Sequence, residues 1–283
     1  MYPAPFEYER AGSVADALSL LGEHPEAELL AGGHSLLPTM KSGLARPDVV
    51  IDISAIDELH GVERDGESVR IGALTNYATV AEDDDLHASI PAVAQAAAEI
   101  GDVQVRNRGT VGGNLAHSDP AADLPAAVLA ADATIHAQSS EGSRAIPVDD
   151  FFEAVYTTAL GEDELLTAIE VPTHDAGVYV KKPSPSSGYA MVGVAVVAEL
   201  DGETVESVRV AVTGAVDHAM RLPAVEDALE GKPLDEGTIS AAASHATDDI
   251  EEYQLMDNHH ASAEFRANLL EVYTERALTK LGE

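Results

Sequence analysis

Two glycine-rich stretches constrain the fold of this chain more than any other feature. The first is residues 31–35 (AGGHS), and the second is residues 104–114 (QVRNRGTVGGN). Glycine permits positive φ and lets a ligand come within hydrogen-bonding reach of successive backbone N–H groups. Such N–H groups bind phosphate without a nearby cation. Two loops of this kind predict a clamp on both sides of a pyrophosphate, which points to a dinucleotide ligand.

Each stretch also has a purely structural interpretation. A Gly-Gly pair such as Gly32-Gly33 is common in turns, and taken alone it favours a turn over a ligand loop. The second stretch is harder to explain in this way, because it combines three glycines with two arginines, two asparagines and a threonine. Neither stretch matches G-x-G-x-x-G or G-x-x-x-x-G-K-[ST], which argues against a Rossmann domain and a P-loop NTPase.

Composition narrows the class of protein. The length of 283 residues predicts about two domains, and 45% hydrophobic residues predict a normal core. No apolar run reaches the roughly 20 residues of a membrane span. Residues 1–5 (MYPAP) lack the basic and apolar regions of a signal peptide, so we expect a cytoplasmic protein. The absence of cysteine excludes disulfides, thiolate catalysis and an iron–sulfur cluster held by this chain.

The charge balance is strongly acidic. Fifty Asp and Glu residues against 16 Lys and Arg residues give a formal net charge of −34. Such a surface repels nucleic acid. The acidic residues are dispersed along a chain with normal hydrophobic patterning, apart from the short run at residues 82–85. This composition resembles that of halophilic proteins, whose surface charges are screened by salt.

Residue patterns predict mixed helices and strands without regular βαβ alternation, which indicates an α+β fold without internal repeats. The predicted helices span residues 13–22, 36–42, 91–100, 121–131, 222–230, 237–246 and 261–281. The predicted strands span residues 28–31, 49–53, 69–73, 133–138, 190–200 and 204–212, the last two joined by a hairpin at Asp201-Gly202. We predict the second glycine-rich stretch to be a loop, and residues 181–188 to be either a linker or an ordered loop.

Four segments together resemble one known family. They are residues 31–41 (AGGHSLLPTMK), 100–116 (IGDVQVRNRGTVGGNLA), 118–125 (SDPAADLP) and 257–266 (DNHHASAEFR). They are similar to the motifs of the FAD-binding medium subunit of the molybdenum hydroxylases, which include aerobic carbon monoxide dehydrogenase and the xanthine dehydrogenases. The similarity runs from about residue 6 to residue 278, essentially the whole chain.

The resemblance implies a fold and a function. Residues 1–175 would form an FAD-binding domain of the vanillyl-alcohol-oxidase (PCMH) type, with two subdomains that divide near residues 55–60. Residues 176–283 would form a smaller sheet-and-helix domain of the carbon monoxide dehydrogenase flavoprotein type. In this family a small subunit with two [2Fe-2S] clusters passes electrons from a molybdopterin large subunit to the flavin subunit, which delivers them to an external acceptor.

The resemblance also implies FAD-binding residues. The first motif would bind the pyrophosphate through backbone amides and the Ser35 hydroxyl, and comprises Ala31, Gly32, Gly33, His34, Ser35 and Leu36. The second would bind it from the other side and approach the ribityl chain, and comprises Thr110, Val111, Gly112, Gly113 and Asn114. Further contacts would come from Asp119, Asp123, Leu166, Lys181 and Tyr189.

Several of these residues have alternative interpretations. Asp123 would accept hydrogen bonds from FAD hydroxyls, or it is an acidic residue favoured at a helix N-terminus. Leu166 would pack on the flavin, or it is an ordinary strand residue. Tyr189 would cover the isoalloxazine ring, or it belongs to the core. Either Lys181 or Lys182 would approach the flavin carbonyls. The family commonly has an arginine and a Gly-Asp before the aromatic residue, whereas this chain has residues 185–188 (PSSG).

The sequence also allows functions other than that of an electron-transfer subunit. His117 and the His259-His260 pair lack a recognisable metal-ligand spacing, which favours exposed or helix-capping roles. A free-standing flavoprotein would oxidise a small substrate itself. A non-catalytic assembly protein would keep the scaffold without flavin, and the intact glycine-rich stretches argue against it.

Overall fold

The structure, a computed structural model, describes residues 2–283. The strands are β1 (Glu7–Arg10), β2 (Glu28–Leu30), β3 (Val49–Asp52), β4 (Val62–Arg64), β5 (Ser68–Gly72), β6 (Thr134–Gln138), β7 (Ser143–Pro147), β8 (Phe152–Ala154), β9 (Thr157–Thr158), β10 (Leu165–Pro172), β11 (Ala176–Pro183), β12 (Ala190–Asp201), β13 (Thr204–Thr213) and β14 (Met220–Arg221). The α-helices are α1 (Val14–Glu23), α2 (Leu36–Ser42), α3 (Tyr77–Ala81), α4 (Asp84–Ser89), α5 (Pro91–Glu99), α6 (Val103–Arg106), α7 (Val111–His117), α8 (Leu124–Ala130), α9 (Pro223–Leu229), α10 (Glu236–Ala243) and α11 (Ala263–Leu281).

The N-terminal part is a small parallel sheet in the order β1-β3-β2. Helix α1 begins where the sequence predicts, since the Ser13 side chain accepts a hydrogen bond from the Asp16 N–H at 3.1 Å. Its apolar face, which includes Leu18, packs on β3 residues such as Ile51. The first glycine-rich stretch connects β2 to α2, so it is a strand-to-helix connection as predicted.

The middle part is a five-stranded antiparallel sheet in the order β4-β5-β10-β6-β7, covered by helices. Residues such as Ile71, Ile135 and Ile169 share one hydrophobic core with the alanine-rich helices α5 and α8. The same core includes Tyr179 and Ala195 from the C-terminal sheet. Helices α5 and α8 therefore lie between the two sheets and join them.

The C-terminal part is an antiparallel sheet in the order β11-β12-β13-β14 with α9, α10 and α11 packed against it. The long hairpin of β12 and β13 confirms the predicted hairpin, with the turn at Gly202-Glu203, one residue beyond the predicted Asp201-Gly202, because Asp201 still pairs with Thr204. Alternate valines of both strands point into one core, where they meet the apolar face of α11.

The second glycine-rich stretch is not the predicted loop. It forms the short helices α6 and α7, and the prediction was wrong because capping residues precede each helix. The Asp102 side chain accepts from the Val105 N–H at 2.9 Å, and the Thr110 side chain accepts from the Gly113 N–H at 3.3 Å. The glycines were interpreted as breaking a helix, but Gly112 and Gly113 lie in the first turn of α7.

Two other boundaries differ from the predictions. The helix predicted over residues 121–131 begins only at Leu124, because the Asp119 side chain accepts from the Ala121 N–H at 2.9 Å and forms a turn. The linker interpretation of residues 181–188 is wrong, since β11 continues to Pro183 in a ladder with β12. The remaining residues form an ordered connection that ends at Gly188, where the Gly188 N–H donates to Ser184 O at 2.9 Å.

Candidate functional site

An elongated cleft lies where the β2–α2 connection meets α3 and α7. It has two lobes, of about 590 and about 500 Å³. Both lobes are lined by Gly33, His34, Ser35, Tyr77 and Asn114, so these residues mark the junction between them. The lobes therefore form one continuous site whose centre is the first glycine-rich stretch.

The two lobes differ in their walls. The first lobe runs between the small parallel sheet and the five-stranded sheet, where Leu29, Ile53 and Leu166 contribute apolar side chains. The second lobe runs toward the C-terminal sheet, where it is lined by Asp123 and Tyr189. Leu166 thus lines the first lobe and Tyr189 the second.

The first glycine-rich stretch presents unused hydrogen-bond donors to the junction. Within residues 2–283, the backbone N–H groups of Gly32, Gly33, His34 and Ser35 have no protein acceptor. Gly33 has φ +76°, a conformation that favours glycine. Successive free N–H groups in such a turn form an anion-binding concavity. The stretch can therefore hold an anionic group at the centre of the cleft.

The second glycine-rich stretch contributes in a different way. The N–H groups of Val111, Gly112 and Asn114 donate to Thr75 O, Ala73 O and Thr110 O at 3.0, 2.8 and 3.0 Å. Val111 is fully buried, and in the described chain it lines neither lobe. These three amides serve the protein itself, and this stretch lines the first lobe with Thr110, Gly112, Gly113 and Asn114.

The two stretches are packed directly against each other. A Cβ atom on Gly32 would collide with the carbonyl oxygen of Arg108, and one on Gly113 would lie 2.6 Å from Thr110 Oγ1. Glycine at position 32 is thus required by the contact between the two stretches, independently of any ligand. That contact is what brings both motifs to one cleft.

A buried polar cluster supports the second lobe. Asp123 is 4% exposed, and its two carboxylate oxygens accept from the Tyr179 hydroxyl at 2.5 Å and from Lys181 Nζ at 3.0 Å. Burial raises the pKa of Asp123 from 3.8 to about 6, although Lys181 and Tyr179 both lower it. Asp123 does lie at the N-terminus of α8, as the helix N-terminus interpretation predicts, but its side chain makes no capping bond to that helix.

Lys181 connects three segments rather than facing the open cleft. Its ammonium group donates to Glu99 O at 2.7 Å and to Gly188 O at 3.0 Å, besides the bond to Asp123. Tyr179 and Lys181 lie two residues apart on the same face of β11, so Lys182 points to the opposite face. Of the two lysines, Lys181 is therefore the one that contacts the connection before Tyr189, through its bond to Gly188 O.

The other predicted residues also have definite places. Tyr189 is 46% exposed, so its interpretation as a core residue is wrong. Asp119 caps the turn before α8 and, among residues 2–283, lines neither lobe. His259 and His260 stack on each other with ring centroids 3.8 Å apart, far from a metal-binding arrangement. The described residues contain no cluster of three or more His, Cys, Asp or Glu side chains suited to a metal ion.

Sequence reasoning missed Tyr77, which lies at the junction of both lobes. Its ring is 6% exposed, and its hydroxyl accepts from Asn114 Nδ2 at 3.1 Å. The only sequence signal is that Tyr77 follows the turn after β5. An ordinary core tyrosine can occupy the same position after a turn. Only the packing of α3 on the second glycine-rich stretch brings Tyr77 into the cleft.

Comparison with known proteins shows similarity along nearly the whole chain. Residues 4–174 match the family described as the FAD binding domain in molybdopterin dehydrogenase. Residues 178–281 match the CO dehydrogenase flavoprotein C-terminal domain.

Individual relatives agree with these matches. The chain is 36% identical to the glyceraldehyde dehydrogenase medium chain of Sulfolobus acidocaldarius over the full length of both chains. It is 40% identical to the carbon monoxide dehydrogenase medium chain of Hydrogenophaga pseudoflava over 87% of each chain. The fold is similar to a solved structure of carbon monoxide dehydrogenase from Hydrogenophaga pseudoflava that lacks the Mo-pyranopterin moiety, with a TM-score of 0.95, 38% identity and coverage of 99% and 98% of the two chains.

Proposed function

This chain belongs to the FAD-binding medium subunits of the molybdenum hydroxylases, and from this premise we propose that it passes electrons from iron–sulfur clusters of a partner chain to an external acceptor. FAD, the cofactor of this family, supplies the redox chemistry by exchanging one or two electrons at its isoalloxazine ring. The chain's own residues then have to bind FAD, orient it and expose one edge of the ring to each electron partner.

The observation that carries this proposal is the row of free N–H groups at the centre of a two-lobed cleft. A pyrophosphate at Gly32–Ser35 leaves one lobe for each half of FAD. We assign the adenosine half to the first lobe, where Leu166 contributes an apolar wall, and the flavin ring to the second lobe beside Tyr189. Leu166 then contacts the nucleotide at its adenine end.

A second, independent observation supports FAD as the ligand of this cleft. Asn114 Oδ1 is buried and lacks a hydrogen-bond partner among the described residues. A buried unpaired acceptor costs about 1–3 kcal/mol, so its position at the junction of the lobes calls for a donor on a bound ligand. FAD carries hydroxyl groups on the ribityl chain next to its pyrophosphate, and Asn114 lines the junction beside the proposed pyrophosphate loop.

Partner chains follow from the same proposal. The chain has no cysteine, so it cannot itself hold the [2Fe-2S] clusters that would reduce its flavin. The relatives are named as medium chains of dehydrogenases, which supports a complex with a small iron–sulfur subunit and a large molybdopterin subunit. Substrate oxidation would then take place in the large subunit.

A reductive titration of the full chain, purified in molar salt, tests the proposal. We expect a yellow protein with an oxidised-flavin spectrum that small substrates such as aldehydes or purines fail to bleach. The same flavin should be bleached by substrate once the two partner chains are added. Bleaching by a small substrate alone would instead support a free-standing oxidoreductase, and a colourless protein that does not take up FAD would exclude both.

A further inference from the structure

The junction between the two lobes contains a pair of side chains with complementary unused hydrogen-bonding groups. Asn114 Nδ2 donates to the Tyr77 hydroxyl at 3.1 Å. This leaves the Tyr77 hydroxyl proton and Asn114 Oδ1 without protein partners in the described chain. Reversing the amide still leaves an unused Asn114 N–H at the junction. The pair therefore retains hydrogen-bonding capacity for a ligand in either orientation.

Tyr77 is held rigidly in this place. Its N–H donates to Gly109 O at 3.1 Å, and the neighbouring Asn76 side chain donates to Asn107 O at 2.9 Å. Its ring packs so closely on Gly109 that any Cβ there would collide with it. The start of α3 is thus fastened to the second glycine-rich stretch, and the Tyr77 hydroxyl has a defined position before any ligand arrives.

The Tyr77 hydroxyl has its proton free to donate toward the cleft. Burial raises the pKa of Tyr77 well above its usual value, so the group stays protonated at every working pH. With the amide oriented as in the structure, its oxygen accepts the Asn114 N–H. The pair thus offers one O–H donor and one carbonyl acceptor side by side, which is the arrangement that binds an alcohol group through both its oxygen and its proton.

We infer that Tyr77 is a further FAD-binding residue, which together with Asn114 binds a hydroxyl of the ribityl chain. This inference rests on the proposed function, because it takes FAD as the ligand. The ribityl chain directly follows the pyrophosphate in FAD, and Tyr77 and Asn114 line the junction of the lobes together with Gly33, His34 and Ser35 of the pyrophosphate loop. Tyr77 then fixes how far the flavin ring extends into the second lobe.

The test is FAD binding to the deflavinated full chain in molar salt. Tyr77→Phe keeps the ring that packs on Gly109 and removes only the hydroxyl. We expect its Kd for FAD to rise roughly three- to tenfold, the effect of one neutral hydrogen bond. Tyr253→Phe, on an 81% exposed side chain, is the matched control and should leave the Kd unchanged. Thermal unfolding of both variants verifies that they are folded.

Two further measurements make the inference specific. In a double-mutant cycle, Tyr77→Phe and Asn114→Ala should be non-additive, because the two side chains share one ligand hydroxyl. An FAD analogue with a five-carbon alkyl chain in place of the ribityl chain should bind wild type and Tyr77→Phe equally. An unchanged Kd for FAD in Tyr77→Phe would refute the inference while the proposed function stands. A wild-type chain that takes up no FAD would overturn both.

Discussion

Gly32 shows how one residue links the two motifs of the cleft. Any side chain there meets the carbonyl oxygen of Arg108, so the two glycine-rich stretches can touch only if position 32 has no Cβ. The free N–H groups that follow Gly32 would otherwise be displaced from the junction of the lobes. A geometric requirement between two segments thus controls a binding site made by both.

We predict that Gly32→Ala loses FAD during purification, because even a methyl group separates the two stretches. The measurement is the flavin-to-protein absorbance ratio, together with the midpoint of thermal unfolding. Gly22→Ala is the control, since Gly22 lies within α1 and an added Cβ meets nothing within 4 Å. It should retain full flavin and gain about 0.5–1 kcal/mol of stability. Full flavin retention by Gly32→Ala would contradict the role assigned to this contact.

Tyr189 should matter less than the first glycine-rich stretch. Its side chain is 46% exposed and lines the second lobe, which we assign to the flavin ring. Offset stacking on a ring is worth roughly 0.5–1.5 kcal/mol beyond area burial. We therefore expect Tyr189→Ala to raise the Kd for FAD by up to about tenfold and to shift the flavin absorption bands. Unchanged bands would show that Tyr189 does not contact the ring.

At the scale of elements, the cluster of Asp123, Tyr179 and Lys181 joins the two sheets at the site. Lys181 on β11 reaches the end of α5 at Glu99, the start of α8 at Asp123 and the connection before β12 at Gly188. Because Tyr189 follows Gly188 directly, the cluster holds this aromatic residue in the second lobe. We propose that binding of the flavin ring is thereby coupled to the packing of the C-terminal sheet on the rest of the molecule.

The raised pKa of Asp123 predicts a pH dependence of stability. Its folded-state pKa of about 6 exceeds the unfolded value of 3.8, so the folded state binds the proton more tightly. The stability that this group contributes is complete below the unfolded pKa and is lost as the pH rises through about 6. Between pH 7 and pH 5, wild type should therefore gain roughly 1 kcal/mol relative to Asp123→Asn.

Urea unfolding of wild type and Asp123→Asn at several pH values and constant molar salt measures this difference. The exposed Asp227→Asn variant is the control, and its difference from wild type should stay constant over the same range. A difference between wild type and Asp123→Asn that is independent of pH would show that Asp123 does not titrate in this window.

At the scale of the whole molecule, the net charge of −34 dominates behaviour in solution. The Debye length is about 3 Å at 1 M salt and about 30 Å at 0.01 M, so repulsion between the acidic residues is screened only at high salt. We predict that the midpoint of thermal unfolding falls steeply as salt is lowered from molar to millimolar concentration. A midpoint that stays flat would contradict the halophilic interpretation.

Three broader expectations stay predictions. No helix within residues 2–283 combines the length and apolar character needed to cross a membrane. The cytoplasmic location stays a prediction, as do the boundary between domains at residues 175–176 and the roles of individual residues in FAD binding. Visible spectra of the variants above test the last of these directly.

Local patterns predicted much of the fold because they depend on neighbours in the sequence. Capping at Ser13, the strand-to-helix connection at residues 31–35 and the hairpin of β12 and β13 all follow from contacts within a few residues. The same local reasoning failed at residues 104–114. There, the capping side chains of Asp102 and Thr110 begin two short helices, and the glycines in the first turn of α7 leave room for the close approach of Ala73 from a distant segment.

The sequence by itself determined the family, the cofactor class and the two motifs of the site, because these depend on residue identity at fixed spacing. Only the tertiary structure decided which groups are free to bind. It left the amides at Gly32–Ser35 without acceptors, and it engaged Val111 and Gly112 within the protein. It also brought Tyr77 to Asn114 across 37 residues. Hydrogen-bond satisfaction depends on segments far apart in the chain, and for this reason no local pattern could reveal it.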